Sequence, residues 1–485
     1  MRKVTGRINS LPASDLIDEV LFPQFNFEIN EFLPYYIRIE EVMLEETLKL
    51  NLINKNSYLK IKAVLQKITS TLLHEKSTSS MNDILFSIEN YVYSQIPSNN
   101  IVKWHVDRSR NDIQATAQIM YAKDQLIRVI ENFLVLIEKM FVLARNNFSL
   151  PMPGYTQYQS AQIITPGYYF SGILESLLRS CQKLFYIFDE INKCPMGAGA
   201  LSGLEISWDR KEIAKKLGFT KPYCIGISGI ASKEWLLNIT SEFSIISVVI
   251  SRLMTDLLYW GSSQYNFINL PDNISGISSA MPHKKNYPIL ERVRGKTGHI
   301  LSYFNNFAML QRNNPFTNLV ETGKEGTKSI NQMFNEMNSI FKLSNLIIGN
   351  LSFNGKIMKS ICGKDFLGGF SLANYLTLKK EIPTRLSHII TGKYILLMTK
   401  QKRTPFDLCA KTLESICKDN GYLVSIEKKV LTELFSVDYN LNKKTDGSTN
   451  PDEVLSNLDN QMLILADLKE QLYSKKEYSY QELGE

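Results

Sequence analysis

Between Ser278 and Asn286 the chain reads Ser-Ser-Ala-Met-Pro-His-Lys-Lys-Asn, which places two hydroxyls, two ammonium groups and a carboxamide within nine residues. Such a loop can put a nucleophilic or basic serine beside cations that would stabilise an anion developing on a substrate. Taken alone the segment reads equally well as a polar loop, because Gly276, Pro282 and Asn286 are residues that turns favour. Two other segments carry comparable clusters: His105-Val106-Asp107-Arg108-Ser109-Arg110-Asn111-Asp112 and Pro153-Gly154-Tyr155-Thr156-Gln157-Tyr158-Gln159. For each residue singly, a capping or surface role is the bland alternative.

Such clusters need a rigid frame, and the proline distribution shows where one lies. No proline occurs between Pro97 and Pro151, between Pro222 and Pro271, or between Pro315 and Pro383. In the first interval Leu126, Val129, Ile130, Phe133, Leu136, Ile137, Met140 and Phe141 recur at three- and four-residue spacing, the stripe of a long helix. Thr165-Pro166 opens another, with a capping hydroxyl followed by a proline suited to the first helical position. Further long helices are expected over 232–261, 288–311 and 327–346. Apolar residues on more than one face of 235–260 place that helix at the centre of a bundle or between subunits. Few segments alternate with a two-residue period, so the fold class expected is all-α with little sheet.

Bulk properties exclude several classes. The net charge of +7 is spread over many lysines. The densest patches, Arg210-Lys211 with Lys215-Lys216 and Lys400-Gln401-Lys402-Arg403, read as solvated helix faces and not as a nucleic-acid stripe. Six cysteines without a CxxC pair and five scattered histidines give no metal-ligand spacing and no disulfide framework, so no metal site is expected and a reducing cytoplasm is the expected home. The segment 231–260 carries Glu234, Glu242, Arg252 and Asp256 and reads as a buried helix, not a membrane span. The beginning MRKVTGRINS has no apolar run of a secretory signal.

In order and spacing, the three polar segments resemble the signature regions of the fumarase/aspartase superfamily, and most of all those of the argininosuccinate lyase family. That family reads H-T-G-R-S-R-N-D, P-G-Y-T-H-L-Q and G-S-S-x-M-P-x-K-K-N-P. The likeness continues through Cys194 to Gly203, Trp208-Asp209-Arg210, Glu291 to Gly298, Pro383 to Lys393 and Gly447 to Pro451. The resemblance implies a three-part layout, with an N-terminal helical domain (1–106), a long central bundle (107–352) and a small C-terminal helical domain (353–485). It also implies a homotetramer with composite active sites built from three chains, a small-molecule substrate and no cofactor.

By position, Ser278 matches the family's base, and Lys284 and Asn286 match residues that hold the substrate carboxylate and the developing charge. Ser109, Arg110, Asn111 and Thr156 match carboxylate contacts, and Glu291 matches the acid that pairs with the catalytic histidine. Gln157 stands in place of that histidine. An amide does not titrate near neutral pH, so Gln157 donates a hydrogen bond but serves as neither general acid nor base. Leu85 replaces a second histidine, in Asn82-Asp83-Ile84-Leu85, while Asp107 and Ile277 replace glycines whose loss is expected to change loop geometry. On the leaving-group side Phe316 replaces a tyrosine and Glu321 a glutamine. Lys233 replaces an arginine, and Lys324 remains as the candidate for the amino-acid carboxylate. His105 and His283 adjoin the motifs, and solvent-facing positions suit both.

The expected activity is that of a carbon–nitrogen lyase. It would eliminate fumarate from an N-substituted aspartate, by default argininosuccinate to arginine and fumarate in arginine biosynthesis. Two alternatives stand beside it: a lyase for a different N-succinyl amine in a side pathway, and a catalytically impaired binding or structural homologue.

Overall fold

Long apolar stripes make long helices, and a computed structural model, which describes residues 12–75, 84–97 and 101–477, packs them into one bundle. Its main helices are α1 (Phe22–Lys49), α2 (Arg110–Asn146), α3 (Pro166–Ile191), α4 (Glu234–Trp260), α5 (Pro288–Gln311), α6 (Ile330–Asn350), α7 (Gly369–Lys380), α8 (Thr384–Lys400) and α9 (Pro451–Lys476). The fold is mainly helical, as the periodicity predicts. The stripe read from Leu126 to Phe141 is buried throughout. Within it Phe133 stacks on Phe341 of α6, with ring centroids 4.6 Å apart. Thr165 caps α3 as expected, its hydroxyl accepting from the Tyr168 N–H at 2.9 Å, with Pro166 at the first position.

Helix α6 begins three residues later than its pattern suggested. A 3₁₀ turn, Glu325–Thr327, precedes it, and the Thr327 hydroxyl donates to the Gly323 carbonyl at 3.0 Å instead of lying within the helix. Helix α4 is long and apolar enough in composition to cross a membrane. Here it packs within the bundle with two of its acids partnered. Lys183 lies 3.6 Å from Glu242, and the Tyr169 hydroxyl donates to Asp256 at 2.5 Å. Ile245 and Val248 stay 44% and 46% exposed, so one apolar flank of this helix is uncovered in the single chain.

Two main cores and one small cluster, Ile163 with Cys362, Leu367 and Leu441, form among the described residues. The larger runs from Phe25 to Met358 and takes in Val454, Leu458, Leu465 and Leu468 of α9, which returns to lie on α2 and α3. Gln461 donates to the Ser171 carbonyl there at 2.9 Å. The smaller core, Leu372 to Phe435 around Tyr394, is built by α7, α8 and the segments after them. Sheet is confined to two-stranded ladders among the described residues. Two of them matter for the site: β1 (Met152–Thr156) with β2 (Gln159–Ile164), and β3 (Gly276–Ile277) with β4 (Lys285–Asn286).

The entry to α2 is fixed by a buried ionic cluster. Arg108 grips Glu40 of α1 with both terminal nitrogens, at 2.9 and 2.6 Å. His105 sits between Glu40 at 2.7 Å and Glu89 at 2.5 Å, buried and not solvent-facing. Burial pushes the Glu40 carboxyl up, but Arg108 and His105 more than offset this and hold it down to about 2. Arg108→Met strands that carboxylate and is expected to lower stability by about 3–5 kcal/mol at pH 7 in a urea titration. Glu40 contributes fully above its ordinary 4.5 and loses its contribution as the pH falls towards about 2. The gap between parent and variant therefore narrows across that window.

Candidate active site

The first motif turns into α2 through two residues in the left-handed region, His105 at φ +67° and Asp107 at φ +57°. Asp107 stands where the resembled pattern has glycine, and it adopts a backbone open to glycine. Aspartate visits this region more readily than most residues. Its carboxylate accepts from the Glu205 N–H at 3.1 Å, the Ile206 N–H at 2.8 Å and the Trp208 indole at 3.0 Å. The expected disturbance of the loop is thus offset by the side chain itself. Ser109 then caps α2, accepting from the Asn111 N–H at 3.2 Å. Exposed Arg110 lies over the Phe86 ring, 4.8 Å from its centroid, and neighbouring Leu85 is buried in the core.

Asn111 donates to the Ala200 carbonyl at 3.2 Å, and buried Asp112 accepts from the N–H groups of Gly197 and Gly199 at 3.1 and 2.9 Å. Gly199 sits at φ +63°, where an added Cβ would lie 2.5 Å from the Gly203 carbonyl. Glycine is obligatory there. Burial raises the Asp112 carboxyl to about 6, against these amides and Arg108, which lower it.

Asn111, Gln114 and Gln118 share one face of α2 by their three- and four-residue spacing. Gln114 and Gln118 both donate to the Gly323 carbonyl, at 2.9 and 2.7 Å. Sequence reading passed over these two glutamines, although polar residues in register with Asn111 on an apolar helix were a usable signal. Lys233 lies behind them, 4% exposed, donating to Gln118 Oε1 at 3.1 Å. Burial, aided by the nearby Lys324 charge, draws its ammonium down to about 8. Lys324 does not stand open for a carboxylate: its ammonium is paired with buried Glu28 of α1. Phe316 and Glu321 are exposed on the same segment.

The other motifs sit on hairpins. Gln157 and Tyr158 form the two-residue tip of β1–β2, both at positive φ (+47° and +59°), the backbone such tight hairpins require. Thr156 and Gln157 are exposed. In the β3–β4 hairpin the Ser278 Oγ accepts from the N–H of Met281 at 3.0 Å and that of Ala280 at 3.4 Å. Donors aimed at this oxygen favour its charged form. Ile277, with an extended backbone and 92% exposed, needs no glycine conformation. Lys285 is tied to Asp272 at 2.8 Å, whereas Lys284 is exposed at the loop tip and Asn286 is half-buried opposite Gly276. Glu291 is exposed in the first turn of α5.

A single chain does not gather these residues. Ser109, Arg110 and Asn111 begin a helix of 37 residues, about 55 Å long by its rise. The β1–β2 hairpin emerges beyond the far end, where Tyr158 meets Tyr259 in the last turn of α4. The β3–β4 hairpin lies at that same end of α4, since a Cβ on Gly261 would touch the Tyr287 ring at 2.8 Å. The three motifs therefore occupy two ends of the bundle.

The fold and these surfaces have counterparts among known proteins. The profile of a family described as lyase matches residues 38–302. Argininosuccinate lyase from Hydrogenobaculum is 31% identical over 86% of this chain and 88% of its own length. Argininosuccinate lyase 1 from Shouchella clausii is 27% identical over 97% of both. Among solved structures, EDDS lyase in complex with formate superposes with a TM-score of 0.85 at 20% identity, covering 99% of this chain and 96% of the other. Fumarate lyase from Mesorhizobium gives 0.73 at 13% identity, over 90% and 97%. The architecture is that of the fumarase/aspartase superfamily. Within it, the chain belongs to the argininosuccinate lyase family.

The Asp107 turn can be tested by two substitutions. Asp107→Ala is expected to cost about 2–3 kcal/mol, since it removes the acceptor of three donors and leaves a side chain at positive φ. Asp107→Gly, free of that strain, loses about 1 kcal/mol less. Urea titrations of the three proteins check the order.

Proposed function

We propose that this protein is a carbon–nitrogen lyase that eliminates fumarate from an N-substituted aspartate, with argininosuccinate as the default substrate and arginine biosynthesis as its setting. It would work in the cytoplasm as a homotetramer. Each active site would combine Ser109, Arg110 and Asn111 of one copy with Thr156 and Gln157 of a second and the Ser278 loop of a third. We further propose a three-part division at residues 106 and 352; α9 packs back on the central bundle.

The observation that carries this reading is the Ser278 hydroxyl. It is held by loop N–H donors at 3.0 and 3.4 Å, in a hairpin whose exposed Lys284 can meet an anion. In the proposed reaction Ser278 takes the proton from the carbon beside a carboxylate, and the resulting dianion is stabilised by Lys284, Asn286 and the loop amides. The carbon–nitrogen bond then breaks with its electron pair going to nitrogen, which takes a proton, and the double bond of fumarate forms. Gln157 orients the substrate and does not supply the proton. The missing histidine leaves room for a gain of function.

Two measurements of fumarate release test the reading. Ser278→Ala is expected to lower kcat/KM by about 10²–10⁴-fold, and Gln157→His to raise it. A Ser278→Ala protein as fast as its parent sinks the assignment. Since one chain keeps its motifs at opposite ends of the bundle, mixing and refolding inactive Ser278→Ala with inactive Arg110→Met should restore measurable activity through sites that carry neither change. No recovery, from variants that are each folded and tetrameric, counts against sites shared between copies.

A further inference from the structure

The cleft beside α2 says something about the leaving group. Gly323, clamped by Gln114 and Gln118, leads directly into Lys324, which lines a cleft with Glu19, Phe27, Glu28, Phe32 and Glu325. Asn111 and Gln118 lie seven residues apart on one helix face, about 10 Å by the rise. In the proposed site, a substrate with its succinyl group at Asn111 and a tail of several atoms laid along this face of α2 would reach the cleft at Gln118. The cation at the inner wall is already engaged: the Lys324 side chain is 14% exposed and paired with Glu28, itself 3% exposed. Lys328 stays largely exposed at the rim, 4.0 Å from Glu325, and buried Lys233 donates to Gln118. A carboxylate entering here would sit beside Glu28 as a second negative charge on one lysine, in a wall partly made of phenylalanine. A tail of methylenes ending in a cation meets no such penalty: Phe27 and Phe32 offer apolar contact, and Glu19 offers negative charge at an exposed rim.

Resting on the lyase reading, we infer that the preferred substrate is an N-substituted aspartate whose amine half carries a cationic tail and no carboxylate. Glu28 acts as the specificity residue by occupying Lys324. The direct comparison is fumarate release from argininosuccinate and from its decarboxylated counterpart, in which agmatine takes the place of arginine. The expected result is a kcat/KM at least tenfold higher for the decarboxylated compound. Glu28→Ser, which frees Lys324, is expected to move the preference at least tenfold towards argininosuccinate. A parent protein that prefers argininosuccinate, or treats the two alike, overturns the inference and leaves the lyase reading standing. Fumarate from neither compound removes the lyase reading instead. The inference is then decided by calorimetric binding of the two free guanidines to the full-length protein, where agmatine at least tenfold tighter supports it and arginine equal or tighter overturns it.

Discussion

The stiffness of α2 governs the arrangement of everything functional in this molecule. A helix of 37 residues whose stripe is wholly buried cannot bend its ends together. The polar residues at its start and the hairpin beyond its end are held apart by its length. The start is itself held rigidly, because the Glu40–Arg108–His105 cluster ties the entry loop to α1 and Asp107 ties it to the segment at Glu205–Trp208. If the residues at its two ends act together, as proposed, a complete site requires rods from several copies to lie side by side. The uncovered apolar flank of α4, at Ile245 and Val248, is consistent with such an association.

Much of the frame is legible in the sequence, because helical periodicity and capping are local signals. Thr165-Pro166 marks the start of α3 to the residue, and the spacing from Leu126 to Phe141 marks the buried stripe of α2. The late start of α6 was not legible. Nothing in the pattern from Thr327 onward announces that its hydroxyl would turn back to Gly323, a carbonyl already fixed by two glutamines more than two hundred residues earlier. Asp107 was misjudged for a related reason. Loss of a glycine is visible in one line of sequence, whereas the Glu205, Ile206 and Trp208 donors that suit an aspartate at that position lie about a hundred residues away.

The same distinction separates the two halves of the candidate site. The fumarate side is compact in sequence: Ser278, the amides that serve it and Lys284 fall within one hairpin, so composition alone points to the chemistry. The leaving-group side is assembled from α1, α2, the head of α4 and the segment before α6. Its decisive contact joins Glu28 to Lys324 across 296 residues. From sequence Lys324 is a free cation and Glu28 an unremarked acid among Phe25, Ile29 and Phe32. Their meeting pairs the lysine that the sequence alone offers to an anion.

That meeting also bears on how a lyase of this family can change its substrate without changing its reaction. Proton abstraction and stabilisation of the dianion depend on groups that contact the succinyl half, and they are indifferent to what the nitrogen carries. Neutralising one lysine from a neighbouring helix alters the electrostatics several ångströms from the reacting carbon and leaves the Ser278 hairpin untouched. A carboxylate is far costlier to bury unpaired than a methylene chain, so in the proposed site a single acid at position 28 would discriminate on charge where an apolar pocket discriminates poorly on size. The substitutions at Phe316, Glu321 and Lys233 fall on the segment and helix head around this pair. In the proposed site they stand beside a fumarate side that is nearly complete, with Gln157 as its main departure.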